Sequence, residues 1–347
     1  MSLPSSPAGT PPVSAPDASA PNASASGASS PGALKVVALG GGHGLAASLS
    51  ALRRVTTDLT AIVTVADDGG SSGRLRRDFG VLPPGDLRMA LAALCGDDEW
   101  GMTWARVVQH RFGGAGDLAG HAAGNLLITA LWDLLGDPVA GLDWVGRLLR
   151  VSGRVLPMAA VPLDLVALVE GLDPARPELV SVVRGQAECA ATKGKVRSIS
   201  LEPADPPAVP EAVSAVADAD WVVFGPGSWF TSVLPHLLVP GLAQALHATA
   251  ARRLVTLNLV PQPGETEGFS PHRHLEVLAE HAPTLVVDAV LADRQAVRGC
   301  EEELEKAARL LGASLVLADI AAEDGARHDP ERLAAAFREL FGFHGGN

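Results

Sequence analysis

Short apolar runs rich in β-branched residues recur along this chain, most of them closed by a turn and followed by a segment with helical periodicity. Residues 34–39 (LKVVAL) read as a buried strand, residues 40–44 as a glycine turn and residues 45–53 as a helix. A second strand is expected over 59–65, then helices over 86–94, 100–112 and 126–135, and another ending near residue 150. Central-strand patterns return at 220–224, 254–258, 284–288 and 314–319, interleaved with helical segments at 233–238, 271–281, 301–311 and 330–341. Apolar strands alternating with helices predict an α/β fold: a Rossmann-like, mostly parallel sheet flanked by helices.

Between residues 151 and 202 the rhythm changes. Short runs at 151–157, 163–172, 179–184 and 196–201 predict a smaller β-rich insertion within a single domain spanning 33–347, and 202–210 reads as a Pro-rich connector. The first 32 residues carry one charged residue, Asp17, and no periodicity, so a disordered Pro/Ala/Ser-rich tail is expected there. That stretch has neither a basic region nor a continuous apolar run, and it does not read as a secretory signal.

Composition narrows the function classes. The 347 residues are 47% hydrophobic and 19% charged, enough for a sizeable core. A net charge of −12 argues against nucleic acid as partner. No apolar run approaches the roughly 18 residues of a membrane span, and mean hydropathy is only +0.22. Cys95, Cys189 and Cys300 are far apart and form no CxxC pair, which fits reduced thiols in a cytoplasmic protein. The ten histidines show no metal spacing, and no Ser-His-Asp arrangement sits on a nucleophile elbow. Oligomeric state is open, a homo-oligomer included.

Three strand-end loops carry residues that packing alone would not select. Gly40, Gly41, Gly42, His43 and Gly44 open a helix as a phosphate-binding turn does, although the spacing is G-x-G-x-G and not G-x-G-x-x-G. The second strand leads to Asp67 and Asp68, where such folds hold a ribose, then to Gly69, Gly70, Ser71, Ser72, Gly73 and Arg74. Glycine lets backbone N–H groups approach a ligand, hydroxyls bind phosphate oxygens, and arginine matches them bidentately. Asp86 is expected to cap the helix after Pro83-Pro84-Gly85, with Arg88 two residues on. Asp67, Asp68 and Asp86 can hold Mg²⁺ against a phosphate, with Asp68 and Asp86 as the first candidate ligands. His121 and Asn125, four apart, are expected to share a helical face near an anion-favouring N-terminus. Gly225, Gly227, Ser228 and Thr231 form a second Gly/hydroxyl loop, Asn258 and Gln262 flank a third, and Arg327 adds a late cation.

These strings resemble those of a known family. GGGHGL (40–45), VADDGGSSGRLR (65–76), PPGDLR (83–88), GHAAGNLL (120–127), GRVLP (153–157), GPGSWFTSVLPHLLV (225–239), QPGET (262–266) and RHDP (327–330) are similar to motifs of the YvcK-type gluconeogenesis factors. Those proteins form one branch of the CofD-like superfamily, whose other branch contains the 2-phospho-L-lactate transferases of coenzyme F420 synthesis. The resemblance runs in order from residue 34 onward. It implies a cytoplasmic, Rossmann-like protein that binds a nucleotide sugar such as UDP-N-acetylglucosamine. It further implies a role linking gluconeogenic carbon metabolism to cell-wall synthesis and cell shape, through an unidentified protein partner and with no established reaction. Four positions depart from the family's pattern. His43 stands where Thr is usual, Met89 where Asn is usual, Phe230 where Tyr is usual, and Ala308 about where a late-helix Tyr is expected.

The residues leave three readings open. One is a non-catalytic regulator that binds a UDP-sugar. The second is a phospho-group transferase holding Mg²⁺ across a diphosphate through Asp67, Asp68 and Asp86, since such chemistry needs positioning and charge neutralisation more than a protein nucleophile. The third is an NAD-binding oxidoreductase, suggested by the glycine turn with its downstream Asp, although a chain without tyrosine has no Tyr-Lys pair for hydride transfer.

Overall fold

The computed structural model describes residues 33–262 and 265–343. The expectations for the tail (1–32) and for Pro263 and Gly264 of the third loop lie outside the described residues. The chain begins β1 (Lys35–Gly40), α1 (Gly42–Leu52), β2 (Asp58–Val63), α2 (Gly70–Phe79), α3 (Gly85–Ala93), α4 (Glu99–Gln109), α5 (Ala123–Leu135), α6 (Pro138–Leu149) and β3 (Arg154–Pro157). It continues β4 (Asp164–Glu170), β5 (Val180–Arg184), α7 (Gln186–Ala190), β6 (Lys195–Glu202), α8 (Pro210–Ala217) and β7 (Trp221–Phe224). After one π turn (Trp229–Val233) and one 3₁₀ turn (Leu234–Leu238) come α9 (Pro240–Ala248), β8 (Arg252–Thr256) and α10 (Pro271–His281). β9 (Ala289–Asp293), α11 (Glu301–Leu310), β10 (Ser314–Ala318) and α12 (Pro330–Leu340) complete the order.

Seven strands form one parallel sheet in the order β10-β9-β8-β7-β1-β2-β3. The expected α/β class is borne out. The central strands are apolar on both faces: Val36 to Leu39, Ile62, Val63 and Val222 to Phe224 are all 2% exposed or less, as a parallel sheet covered by helices on both sides demands. The chain walks from β1 through β2 to β3 in one direction and from β7 through β8 and β9 to β10 in the other. The direction reverses between β1 and β7, and in open α/β sheets that is where ligands bind. Buried His236, just after β7, fixes this region to the neighbouring half of the sheet, its Nε2 lying 3.0 Å from the carbonyl oxygen of Ile62.

Several boundaries differ from the sequence expectation, each for a local reason. The strand placed at 284–288 is β9 at Ala289–Asp293, because the apolar run continues for ten residues and pairing with β8 selects its second half. Asp288 ends up as a turn residue whose carboxylate accepts the N–H of Arg253 at 2.7 Å. The segment after Asp68 is helical from Gly70 onward instead of a long loop. Of the strands assigned to the β-rich insertion, β3 joins the large sheet beside β2, while β4, β5 and β6 form the small antiparallel sheet, ordered β5-β4-β6. The 233–238 helix is the 3₁₀ turn at the end of the π turn.

Phe224 is fully buried at the centre of the sheet. Phe224→Ala is expected to cost about 3–5 kcal/mol in urea unfolding. A loss below about 1 kcal/mol would show that β7 is not at the core's centre.

Candidate functional site

At the reversal point two glycine turns press against each other. A Cβ on Gly44 would lie 2.3 Å from the carbonyl oxygen of Pro226 and 2.4 Å from Cα of Gly227, so only glycine allows the contact. Gly41 is the N-cap of α1 and has no side chain to bond the helix's first N–H groups, so the N-terminus between the two turns is not capped from within its own segment. The far turn is held rigidly from β8. The Asn258 amide donates to Gly227 O at 2.9 Å and accepts the Gly227 N–H at 2.8 Å, standing in for a strand neighbour. Further along, the Glu265 carboxylate accepts the Phe230 N–H at 3.1 Å and the Thr231 hydroxyl at 2.5 Å. Burial raises the pKa of Glu265 despite these donors. Gln262 donates its N–H to the Thr266 hydroxyl at 2.8 Å.

The three aspartates do different things. Asp86 is not the N-cap of α3; Pro84 occupies that position and Asp86 lies in the first turn. Its carboxylate reaches across to the α1 turn, so that a Cβ on Gly41 would lie 2.4 Å from Asp86 Oδ2, and the Gly42 N–H bonds it. Burial and the neighbouring Asp67 push the Asp86 pKa up to about 7, against the pull of that N–H and of Arg88. Asp67 itself accepts the Gly69 N–H at 2.9 Å. Asp68 turns towards the small sheet, accepting the N–H of Ala187 in α7 at 3.0 Å and lying against Gly185. α7 also reaches the far turn, where Gln186 Nε2 donates to Thr231 O at 3.4 Å.

A second polar group is assembled from α2, α3 and α5. His121 precedes α5 and does not share its face with Asn125, yet both converge on Ser71: the Asn125 amide donates to Ser71 Oγ at 3.0 Å, and His121 Nδ1 lies 3.0 Å from the same oxygen. Burial and the nearby Arg74 lower the His121 pKa. Ser72 accepts the Gly85 N–H at 3.0 Å and fixes the start of α3. Arg74 donates to Ala119 O at 2.8 Å. Arg88 is 4% exposed and donates to the Gln109 side chain, and burial with nearby Arg111 lowers its pKa to about 10. Arg88 Nε and Asn125 Oδ1 have no hydrogen-bond partner among the described residues.

His43 is exposed on the α1 turn, while Arg327 is exposed and ion-paired with Asp324 in its own turn at 2.7 Å. The neighbour of Arg327, His328, is the group turned inward: burial lowers its pKa to about 4, and Leu257 at the end of β8 bonds it. Phe230 is 2% exposed with its ring edge-on to Phe269 and His281, and Ala308 is fully buried, so both tyrosine replacements lie in the core. Among the described residues no three His, Cys, Asp or Glu side chains are grouped to hold a metal. The Asp67 and Asp86 pair nevertheless suits Mg²⁺, which is commonly bound by one or two carboxylates plus substrate phosphates. Sequence reasoning missed Glu265, Gln186, Gln109 and His328 as positioning groups.

The sequence matches the family described as 2-phospho-L-lactate transferase CofD over residues 36–330, which takes in both glycine turns and all three aspartates. The chain belongs to the CofD family. A Mycobacterium tuberculosis protein named "Putative gluconeogenesis factor" is 57% identical over 86% of this chain and 88% of its own length. A Listeria innocua protein named "Gluconeogenesis factor" is 38% identical over 87% of this chain and 94% of its own. A crystal structure of a UPF0052 family protein from Bacillus halodurans superposes with a TM-score of 0.77 at 33% identity, covering 87% of this chain and 98% of that one. The motif-level resemblance to gluconeogenesis factors within the CofD family is thus borne out, as is the fold. No described helix is long and apolar enough to cross a membrane.

The raised pKa of Asp86 makes a stability prediction. Its folded-state value lies above the ordinary 3.8, so the folded protein resists the charged form. The group imposes no penalty below about pH 4, a growing one as pH rises towards 7, and a constant one above. Asp86→Asn is therefore expected to stabilise the ligand-free protein at pH 8 by a few kcal/mol and to leave it nearly unchanged at pH 4. Urea unfolding at both pH values reads this out; an equal effect at both would mean the carboxyl is not held neutral by its surroundings.

Proposed function

We propose that this chain is a nucleotide-sugar-binding regulator, a cytoplasmic member of the CofD family that couples the level of a UDP-sugar to cell-wall synthesis and cell shape while carbon flows through gluconeogenesis. The observation that carries the reading is the pair of glycine turns in contact at the sheet's reversal point, with the N-terminus of α1 between them. A diphosphate would lie on the N–H groups of His43 and Gly44, against the turn that Asn258 holds, and Asp67 would take ribose hydroxyls. Where Mg²⁺ accompanies the ligand, Asp67 and Asp86 would share it with the phosphates. Arg88 and Arg74, on the α2–α3 side, would offset charge. The names of the relatives support the link to gluconeogenesis, and the cell-wall partner is a protein of unknown identity.

A second reading has its own support. Burial and the neighbouring Asp67 push the Asp86 pKa up to about 7, and carboxyl groups shifted in this way concentrate at reactive sites. In that case the chain is a Mg²⁺-dependent phospho-group transferase of the type for which the family is described, with the acceptor hydroxyl as nucleophile and no protein group attacking. NAD binding at the same turn, with or without turnover, is the third occupant to test.

Thermal unfolding with UDP-N-acetylglucosamine, UDP-glucose, GDP and NAD, each with and without Mg²⁺, separates these readings, because a ligand that binds only the folded state raises stability by RT ln(1 + [L]/Kd). A rise with a UDP-sugar and no turnover supports the regulator. A Mg²⁺-dependent preference for GDP together with phospholactyl transfer to a deazaflavin acceptor replaces it with the transferase. Asn258→Ala, which frees the Gly227 turn, is expected to weaken the bound nucleotide about tenfold without unfolding the protein. Unchanged affinity would mean that the ligand does not use this turn.

A further inference from the structure

Beyond Asp67 and Asp86 the cleft continues into a group of cations. The hairpin between α4 and α5 pairs Arg111 with Ala122 and bonds the Phe112 N–H to His121 O at 3.0 Å, which sets Arg111 close to His121. Arg74 Nη2 donates to Ala119 O at 2.8 Å and Arg111 Nη1 to Gly120 O at 3.0 Å, so both guanidiniums are tied to one arm of that hairpin. Arg88 lies under the first turn of α5, where a Cβ on Gly124 would lie 2.9 Å from its Cγ. Its bond to the Gln109 side chain leaves Nε without a partner in a buried residue. All three guanidiniums thus bond neutral oxygens, and among the described residues none is ion-paired with a carboxylate.

His121 is set up beside them as a neutral donor. Ser71 Oγ accepts the Asn125 amide at 3.0 Å, so its own proton is left for His121 Nδ1, also 3.0 Å away. That order of donors puts the imidazole proton on Nε2, which makes no hydrogen bond among the described residues. Burial first and Arg74 second hold the ring towards its neutral form, against a smaller pull from Asp78. Ser71 itself stands in the first turn of α2, a ten-residue helix with no acidic residue in that turn and no side-chain cap. One corner of the cleft therefore gathers a free N–H, two arginines and the positive end of a helix.

We propose that this corner is a second oxyanion subsite, formed by Arg74, Arg111 and the Nε2–H of His121, and that the ligand is a nucleotide sugar whose sugar carries a carboxylate. The inference rests on the nucleotide-sugar reading above and adds the acid group to it. The two anion positions are separate but contiguous. Asp86 adjoins the α1 turn at Gly41, and Asp67 lies towards Gly85, where a Cβ would meet Ser72 Oγ at 2.4 Å and Asp67 Oδ2 at 3.0 Å. Ser71, next in the chain to Ser72, begins the bonds that lead to His121. Arg88 stands between the two positions, its charge coupled to Arg111 on one side and to Asp86 and Asp67 on the other. With Arg88 so balanced and His121 neutral, Arg74 and Arg111 remain for a second anion. A diphosphate on the α1 turn fills only the first position, and a neutral sugar would leave the two arginines without a counter-charge. A sugar carboxylate supplies one, in the planar form that a guanidinium matches.

Isothermal titration calorimetry of the full chain with Mg²⁺ tests the proposal on matched pairs: UDP-glucuronate against UDP-glucose, and UDP-N-acetylmuramate against UDP-N-acetylglucosamine. In at least one pair the acidic member is expected to bind about tenfold tighter than the neutral one. Arg111→Ala, at an exposed position, and His121→Asn are each expected to bring that ratio below about threefold. Equal binding of acidic and neutral members in both pairs overturns the proposal, and so does a preference that survives either variant. If none of the UDP compounds binds, the nucleotide reading fails and inorganic phosphate decides the subsite alone. Phosphate is then expected to shift the His121 ring signals in nitrogen NMR of the wild-type chain and to leave them in place in Arg111→Ala. Ring signals indifferent to phosphate in the wild-type chain would overturn the subsite as well.

Discussion

The approach of Gly44 to Gly227 is the constraint on which the rest of the site depends. The two turns, from opposite halves of the sheet, touch backbone to backbone only because Gly44 carries no Cβ, and a side chain there would displace the far turn outright. That contact brings the α1 N-terminus and the turn after β7 together over the reversal point. The surrounding hydrogen bonds then make sense as ways of holding the contact. Asn258 clamps Gly227, Glu265 fixes Phe230 and Thr231, and His236 fastens the following turn to β2.

Charge is distributed unevenly around this contact. A helix N-terminus favours an anion, yet Asp86 already occupies part of that field and Asp67 lies beside it. A diphosphate arriving there meets two carboxylates. The repulsion is relieved if Asp86 keeps its proton, which its raised pKa allows near neutrality, or if a divalent cation sits between the carboxylates and the phosphates. Ligand affinity should then depend on pH and on Mg²⁺ together, and the two dependences should weaken each other, because proton and metal relieve the same repulsion.

How far the sequence revealed this arrangement depended on range. The turns after β1 and β7 were legible because an apolar run stops abruptly at glycines, a signal contained in about ten residues. The alternation that predicts a parallel sheet was equally local. Asp86 was misread as a cap because a turn followed by a helix has the local appearance of one, whereas its partners, Gly41 and Gly42, lie more than forty residues upstream. The bond from Asp68 to Ala187 spans 119 residues and leaves no trace in either segment. The run from 284 to 293 offered two equally apolar strands, and only pairing with β8 chose between them. Helices α8 and α9 went unread because Ala- and Val-rich stretches lack polar contrast, although each carries the proline near its start that could have marked it.

The positions where this chain departs from its family's pattern bear on what the site is for. Phe230 and Ala308 lie in the core, Phe230 with its ring edge-on to Phe269 and His281. His43, by contrast, is exposed on the phosphate turn itself, and Met89 is partly exposed on α3. Those positions fall on the rim and on the support, while Asp86 bonds the α1 turn at Gly42, Gly44 packs on Gly227, and Asn258 clamps Gly227. A turn already held by Asn258 and Glu265 needs little ordering when a ligand arrives, and preorganisation of that kind raises affinity by lowering its entropic cost. It raises turnover only where the held groups meet the transition state better than the ground state. The bonds in this site mostly fix backbone, whereas Asp86 keeps a carboxyl of raised pKa beside Asp67. A transferase would need that pair to hold a cation against the phosphates, whereas a protein that only senses a nucleotide would need it solely to set the pH and Mg²⁺ at which it binds.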